Sequence, residues 1–117
     1  MEAPDGSKIA IRFDELSLQT DAHFIELEQR ADRDSRWKAS GFGIARKNAE
    51  WWVMANSERL YLCQTKALWK AVKRERDADE KHSRRNLEDS DKRMYSRGQI
   101  LPLKVLESVA TIVTDLQ

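Results

Sequence analysis

Two short apolar runs, Trp51-Trp52-Val53-Met54 and Arg59-Leu60-Tyr61-Leu62-Cys63, stand on either side of Ala55-Asn56-Ser57-Glu58. Each run is too short for a helix and rich in aromatic or branched side chains, so the segment reads as an antiparallel hairpin closed by a polar turn. An isolated hairpin is marginal in water and needs further strands or helices against its apolar side. The remainder of the chain therefore has to supply that cover. With 117 residues it forms one domain, 1–117, with one core.

The flanking segments provide candidates. Lys8 to Phe13 is rich in Ile and suits a strand entered through the turn Pro4-Asp5-Gly6. His23 to Glu28 alternates, which sets Phe24, Glu26 and Glu28 on one face and Ile25 and Leu27 on the other. Residues 29–48 are polar and Gly-containing, a long loop with one short helix near Ile44 to Asn48. Thr65 is a candidate N-cap for a helix with Leu68, Val72 and Trp69 on its apolar side and a cationic back. Residues 77–93 are almost entirely charged or polar, which predicts a mobile segment or a solvated helical extension. A strand is expected around Met94 to Leu101. Pro102 then opens a helix whose core face is Leu103, Leu106, Val109 or Ala110, and Val113. The order predicts an α+β fold: a twisted antiparallel or mixed sheet of four or five strands, with two main helices packed on it.

Composition limits the functions available. Charged residues make up 35% of the chain and cancel to a net +1, so any basic binding surface must be local. A single cysteine, Cys63, precludes an intrachain disulfide and suits a reducing, cytoplasmic setting. No apolar run approaches the roughly 18 residues of a membrane span, and the first residues lack a secretion signal. There is no Cys/His cluster of the kind that builds a zinc site.

Several pieces share an order with one known family. Arg12-Phe13-Asp14-Glu15-Leu16-Ser17 is followed by Phe24-Ile25-Glu26-Leu27-Glu28, then Lys38-Ala39-Ser40-Gly41, then Ala49-Glu50-Trp51-Trp52-Val53. Arg97-Gly98-Gln99-Ile100-Leu101-Pro102-Leu103 closes the series. From about Ile9 to about Leu103 the chain resembles the small PD-(D/E)XK nuclease-like domains of phage and archaeal type, with two extra residues between Ser40-Gly41 and Ala49. The resemblance implies a metal-binding Glu-x-Lys motif in the first strand and an Asp on a strand before it. Here the motif positions fall on Ala10-Ile11-Arg12. Ala10 cannot ligate a metal. Arg12 is too basic to deprotonate, although it can hold a phosphate. Besides Glu2, Asp5 is the one acidic candidate before Lys8, so the resemblance implies a domain truncated at its N-terminus with a degraded site.

The remaining acidic residues are Asp14, Glu15, Glu26 and Glu28. Glu26 and Glu28 with Asp14 form a residual metal or water site, or they face solvent as ordinary ion pairs with Arg12, Arg30 and Arg36. Arg12, Arg30, Arg33, Arg36 and Lys38 are candidate phosphate contacts, though Asp32 and Asp34 interrupt the loop's positive charge. Trp37 either stacks on a base or covers a sheet edge. Trp51, Trp52 and Trp69 read as core. From Lys66 to Arg85 eight Lys/Arg face four Asp/Glu, which suits a phosphate backbone or a solvated face. His23 and His82 have no partner at catalytic spacing.

Phosphodiester cleavage needs a cation to offset the charge of its transition state, so these departures weigh against cutting. The leading expectation is a nuclease-like accessory protein that no longer cleaves and binds DNA or a nucleoprotein complex. Its setting would be a phage or mobile element, and inhibition of a host defence complex is one such role. It needs no cofactor. One alternative is a Mg²⁺-dependent endonuclease that completes its site by dimerisation. The other is a purely protein-binding or structural domain. A homodimer and no membrane contact are expected in the leading case.

Overall fold

The computed structural model describes residues 1–81 and 95–116. The expected hairpin is present: β4 (Trp51–Ala55) and β5 (Arg59–Gln64) pair antiparallel, with Trp52 opposite Cys63 and Met54 opposite Tyr61. Asn56 closes the turn. Its Oδ1 accepts from the backbone N–H of Glu58 at 2.9 Å and of Arg59 at 2.8 Å. β1 (Ile9–Phe13) lies parallel to β4, and β7 (Ile112–Asp115) antiparallel to β5, giving a four-stranded sheet of order β1-β4-β5-β7.

The fold is α+β, but the strands are divided between two sheets. In the second sheet β2 (Ala22–Gln29) lies between β3 (Lys38–Ala39) and β6 (Ser96–Pro102) in a three-stranded antiparallel arrangement. The chain leaves β1 through a one-turn helix α1 (Ser17–Thr20) that ends on Asp21 in the left-handed region (φ 57). That detour carries β2 away from the free edge of β1. Asp21 is fixed there by its carbonyl, which accepts from the Leu103 N–H at 3.0 Å.

One apolar cluster draws on both sheets and on α2 (Phe42–Asn48), α3 (Thr65–Lys81) and α4 (Leu103–Val109). Trp52, Met54, Tyr61 and Cys63 project from the four-stranded sheet, and Ile25 and Leu101 from the other. Leu68 and Val72 of α3 and Leu106 of α4 are fully buried, as their spacing predicted. Each such burial contributes about 1.5–3 kcal/mol. Phe42 meets Trp52 edge-on, with ring centroids 5.2 Å apart. Burial pushes the Cys63 thiol up to about 12.

Three local expectations are corrected. Val113 is not on a helix: α4 ends at Val109, and the branched run Thr111-Ile112-Val113-Thr114 extends into β7, where Val113 is 37% exposed. Thr65 does not cap α3; its hydroxyl donates to the carbonyl of Ala49 at 2.7 Å, stitching the helix start to β4. Pro102 precedes the first turn of α4 as its N-cap. Of the charged 77–93 segment, α3 takes in residues 77–81, while 82–93 and His82 lie outside the described residues.

Alternation gives the four-stranded sheet a second face. Ile9, Ile11 and Phe13, Trp51 and Val53, Leu60 and Leu62, and Ile112 lie opposite the core-facing residues, and none belongs to the core cluster. Ile11 is 52% and Phe13 63% exposed. This face carries no charged side chain on its strands.

Candidate functional site

β1 and β2 diverge beyond Phe13, and a cleft of about 390 Å³ opens there. Arg12 and Asp14 line it from the end of β1, Phe24 and Glu26 from β2, Leu16 from α1's approach and Ile100 from β6. The fold thus gathers three of the sequence-predicted site residues, Arg12, Asp14 and Glu26, in one place. Ala10 sits opposite Trp52, half-buried against the core.

The polar residues from Asp14 to Ser17 serve the fold first. Asp14 Oδ2 lies 2.7 Å from His23 Nδ1, and that hydrogen bond holds the Asp14 carboxyl below its usual range, with His23's charge and Arg12 acting in the same sense. Glu15 accepts from the backbone N–H of Ser57 and from its hydroxyl, clasping the hairpin turn. Ser17 is fully buried; its Oγ donates to the Asp14 carbonyl at 2.6 Å and accepts from Asn56 Nδ2 at 3.0 Å. Asp14, the one of these expected to take part in chemistry, and its neighbours Glu15 and Ser17 are joints between β1, β2 and the hairpin.

Glu26 and Glu28 do not act as a pair. The register steps from Glu26 opposite Gly98 to Glu28 opposite Arg97, so Leu27 is an extra residue and the alternation breaks. Glu26 accepts from Ser40 Oγ at 2.8 Å, and Glu28 from Arg97 Nε at 2.6 Å. Two glycines clamp the strand around this bulge. A Cβ on Gly43 would fall 2.0 Å from the Leu27 carbonyl oxygen, and one on Gly98 would fall 1.9 Å from that of Ile25.

The loop cations lie outside the cleft. The guanidinium carbons of Arg30 and Arg97 sit 4.4 and 4.3 Å from the Trp37 ring centroid, so this indole is already engaged by two cations rather than presented to a base. Arg30 also donates to the Arg33 carbonyl at 3.3 Å. Asp32 accepts from the Asp34 N–H and from Ser35 Oγ, both at 2.9 Å, which holds its carboxyl below the usual range inside the same loop. Arg36 and Lys38 are exposed.

The chemistry open to the cleft follows from these engagements. Arg12, Asp14 and Glu26 line it together with Phe24 and Ile100, cross-strand partners that form one apolar wall. Among the described residues no group of three or more His, Cys, Asp or Glu is arranged to hold a metal ion. The Asp14–His23 pair does not reach the cleft through His23: that ring is 1% exposed, and its Nε2 has no partner among the described residues. His23 is the residue sequence reasoning undervalued. Its phase in β2, with Ile25 and Leu27, was the available signal, since a histidine on an apolar face requires a buried partner.

No protein-family model, curated protein or solved structure matches the chain. The likeness to the PD-(D/E)XK nucleases therefore rests on the motifs alone. No helix among the described residues is long and apolar enough to cross a membrane.

Proposed function

We propose that this chain is a nuclease-like accessory protein that binds nucleic acid or a nucleoprotein complex without cutting it. The observation that supports this best is the one-to-one engagement of the carboxylates: Asp14 with His23, Glu26 with Ser40 and Glu28 with Arg97. A metal-dependent nuclease needs carboxylates that converge on one cation, because the metal offsets the charge built up in the transition state. Arg12 at the cleft supplies a fixed positive charge that suits a phosphate and cannot accept a proton.

The test measures cleavage and binding together on single-stranded, double-stranded and branched DNA, with Mg²⁺ and with Mn²⁺. Binding without hydrolysis is expected. Robust metal-dependent cutting that Glu26→Ala abolishes would overturn the proposal in favour of an endonuclease. No binding at low salt would leave a protein-binding accessory.

A separate observation supports self-association. The outer face of the four-stranded sheet is apolar and carries no charge on its strands, so two copies related by a two-fold axis meet there without like-charge opposition. Four strands of about five residues span about 19 by 17 Å. That is small against the roughly 800 Å² per partner of a standard interface, so we propose a weak dimer.

A further inference from the structure

The positive charge of this chain converges away from the cleft. Trp69 is half-buried on α3 beside Phe42 of α2, ring centroids 6.4 Å apart. Around its indole stand Arg46 at 4.3 Å, Lys73 at 5.4 Å and Arg76 at 5.7 Å from the ring centroid. These distances keep every pair of the three cations within about 11 Å, so they repel one another at low salt, where the Debye length is about 30 Å, and are partly screened at physiological salt. Among the residues whose side chains are described, Arg46, Lys73 and Arg76 are not joined to a carboxylate by any of the ion pairs His23–Asp14, Arg59–Glu107, Arg59–Asp115 and Arg97–Glu28. Asp79, on the same helix, is turned to Gln99.

We infer that the α2–α3 face around Trp69 is the surface that takes the phosphate backbone of a nucleic acid. The inference rests on the nucleic-acid-binding proposal and names its site. Lys66, Lys70 and Lys73 are exposed at spacings of four and three residues, so they form a cationic stripe beside Trp69, interrupted by the exposed Asp77. From Lys66 to Arg76 the stripe runs about 15 Å at about 1.5 Å per residue. That length matches about four phosphates of one duplex strand, at about 3.4 Å along the axis for each.

The bland explanation, that a cation merely covers the open edge of a half-buried indole, accounts for one of them. Arg46 also belongs to the last turn of α2, where the helix dipole favours a cation. Helix spacing brings Lys73 and Arg76 to the same ring, four and seven residues after Trp69, but Arg46 comes from another helix, and each added cation raises the repulsion. A bound polyanion relieves it. The 30–38 loop is the weaker competitor, because its cations are interleaved with Asp32 and Asp34 and Arg97 is paired with Glu28. Because the indole is already engaged by cations, binding is electrostatic and indifferent to base sequence.

The experiment is binding of a labelled DNA duplex of mixed sequence over a series of salt concentrations. The unmodified chain is compared with R46Q/K73Q/R76Q, with K66Q/K70Q, and with R12A/R36A/K38A. The unmodified chain should bind, and R46Q/K73Q/R76Q should weaken binding at least tenfold at low salt. The slope of log affinity against log salt should fall by about 2–3, since each phosphate that is no longer neutralised takes about 0.9 from it. K66Q/K70Q touches only exposed side chains and should lower the slope by about 2, which keeps the test decisive if the first variant unfolds. Binding by the unmodified chain that both α3 variants leave unchanged, and that R12A/R36A/K38A abolishes, would overturn this site while sparing the proposed function. Failure of the unmodified chain to bind would overturn both.

Discussion

His23 Nδ1 and Asp14 Oδ2 lie 2.7 Å apart across the junction of the two sheets, the histidine buried and the aspartate at the cleft wall. Asp14 is therefore a structural residue before it is anything else. Asp14→Ala leaves a buried imidazole with neither nitrogen satisfied and should cost about 1–3 kcal/mol in denaturant unfolding. Asp14→Asn keeps an acceptor oxygen and should cost less. The Asp14 carboxyl titrates lower in the folded chain than in the unfolded one. Its contribution is thus complete above the unfolded value near 3.9 and is lost as pH falls through the folded value. Unfolding midpoints measured from pH 6 down to pH 2 should fall more steeply for the unmodified chain than for Asp14→Ala. Parallel pH profiles would show that the pair stabilises nothing.

Gly43 and Gly98 fix the bulge of β2 from opposite sides by backbone-to-backbone approach. At 2.0 and 1.9 Å from a carbonyl oxygen, an added methyl forces main chain to move rather than a flexible side chain. Gly43→Ala and Gly98→Ala should each destabilise by about 1–3 kcal/mol or more. Gly6 is the control, since its added Cβ would have nothing within 4 Å, although its positive φ (89) adds a strain of its own. A Gly43→Ala variant as stable as the unmodified chain would mean that α2 does not press on β2.

Leu106 is fully buried between α4 and the core, whereas Val113 lies exposed on an edge strand. Leu106→Ala should lower stability by about 2–5 kcal/mol. Val113→Ala should cost less than about 1 kcal/mol, because an exposed site leaves little cavity. Val113 shares the face of Tyr61 but sits uncovered at the sheet edge, so equal losses would mean that it is buried there instead.

That contrast also marks what the sequence could disclose. The hairpin, the apolar stripe of Leu68 and Val72, and the Leu103/Leu106 face were legible because each follows from a local period. Val113 was misplaced because helix and strand compete in a short branched run, and the partner that decides, β5, is about fifty residues away. The turn from β1 into the second sheet passes through Asp21, a non-glycine residue at positive φ that the sequence reading did not single out. In the candidate site, Arg12, Asp14 and Glu26 do share a cleft. The separation of Glu26 from Glu28 was hidden, because a bulge changes the face without changing the sequence spacing. Arg46 was missed for a similar reason: it reaches Trp69 from another helix.

Self-association through the outer sheet face makes the last prediction. Ile11 and Ile112 are about half exposed, on β1 and β7, at the two edges of that sheet. A face this small should give a dimer that populates only at tens of micromolar, seen as a concentration-dependent sedimentation coefficient. Ile11→Glu sets a carboxylate at the edge of the face without adding positive charge that would confuse a DNA-binding measurement. It should abolish the dimer while changing monomer stability by no more than about 0.5 kcal/mol, the usual range for a surface substitution. Lys47→Glu, on the exposed surface of α2, should leave the dimer intact. A chain that sediments as a monomer throughout that range would remove the interface. A dimer that survives Ile11→Glu together with Ile112→Glu would assign the association to another surface.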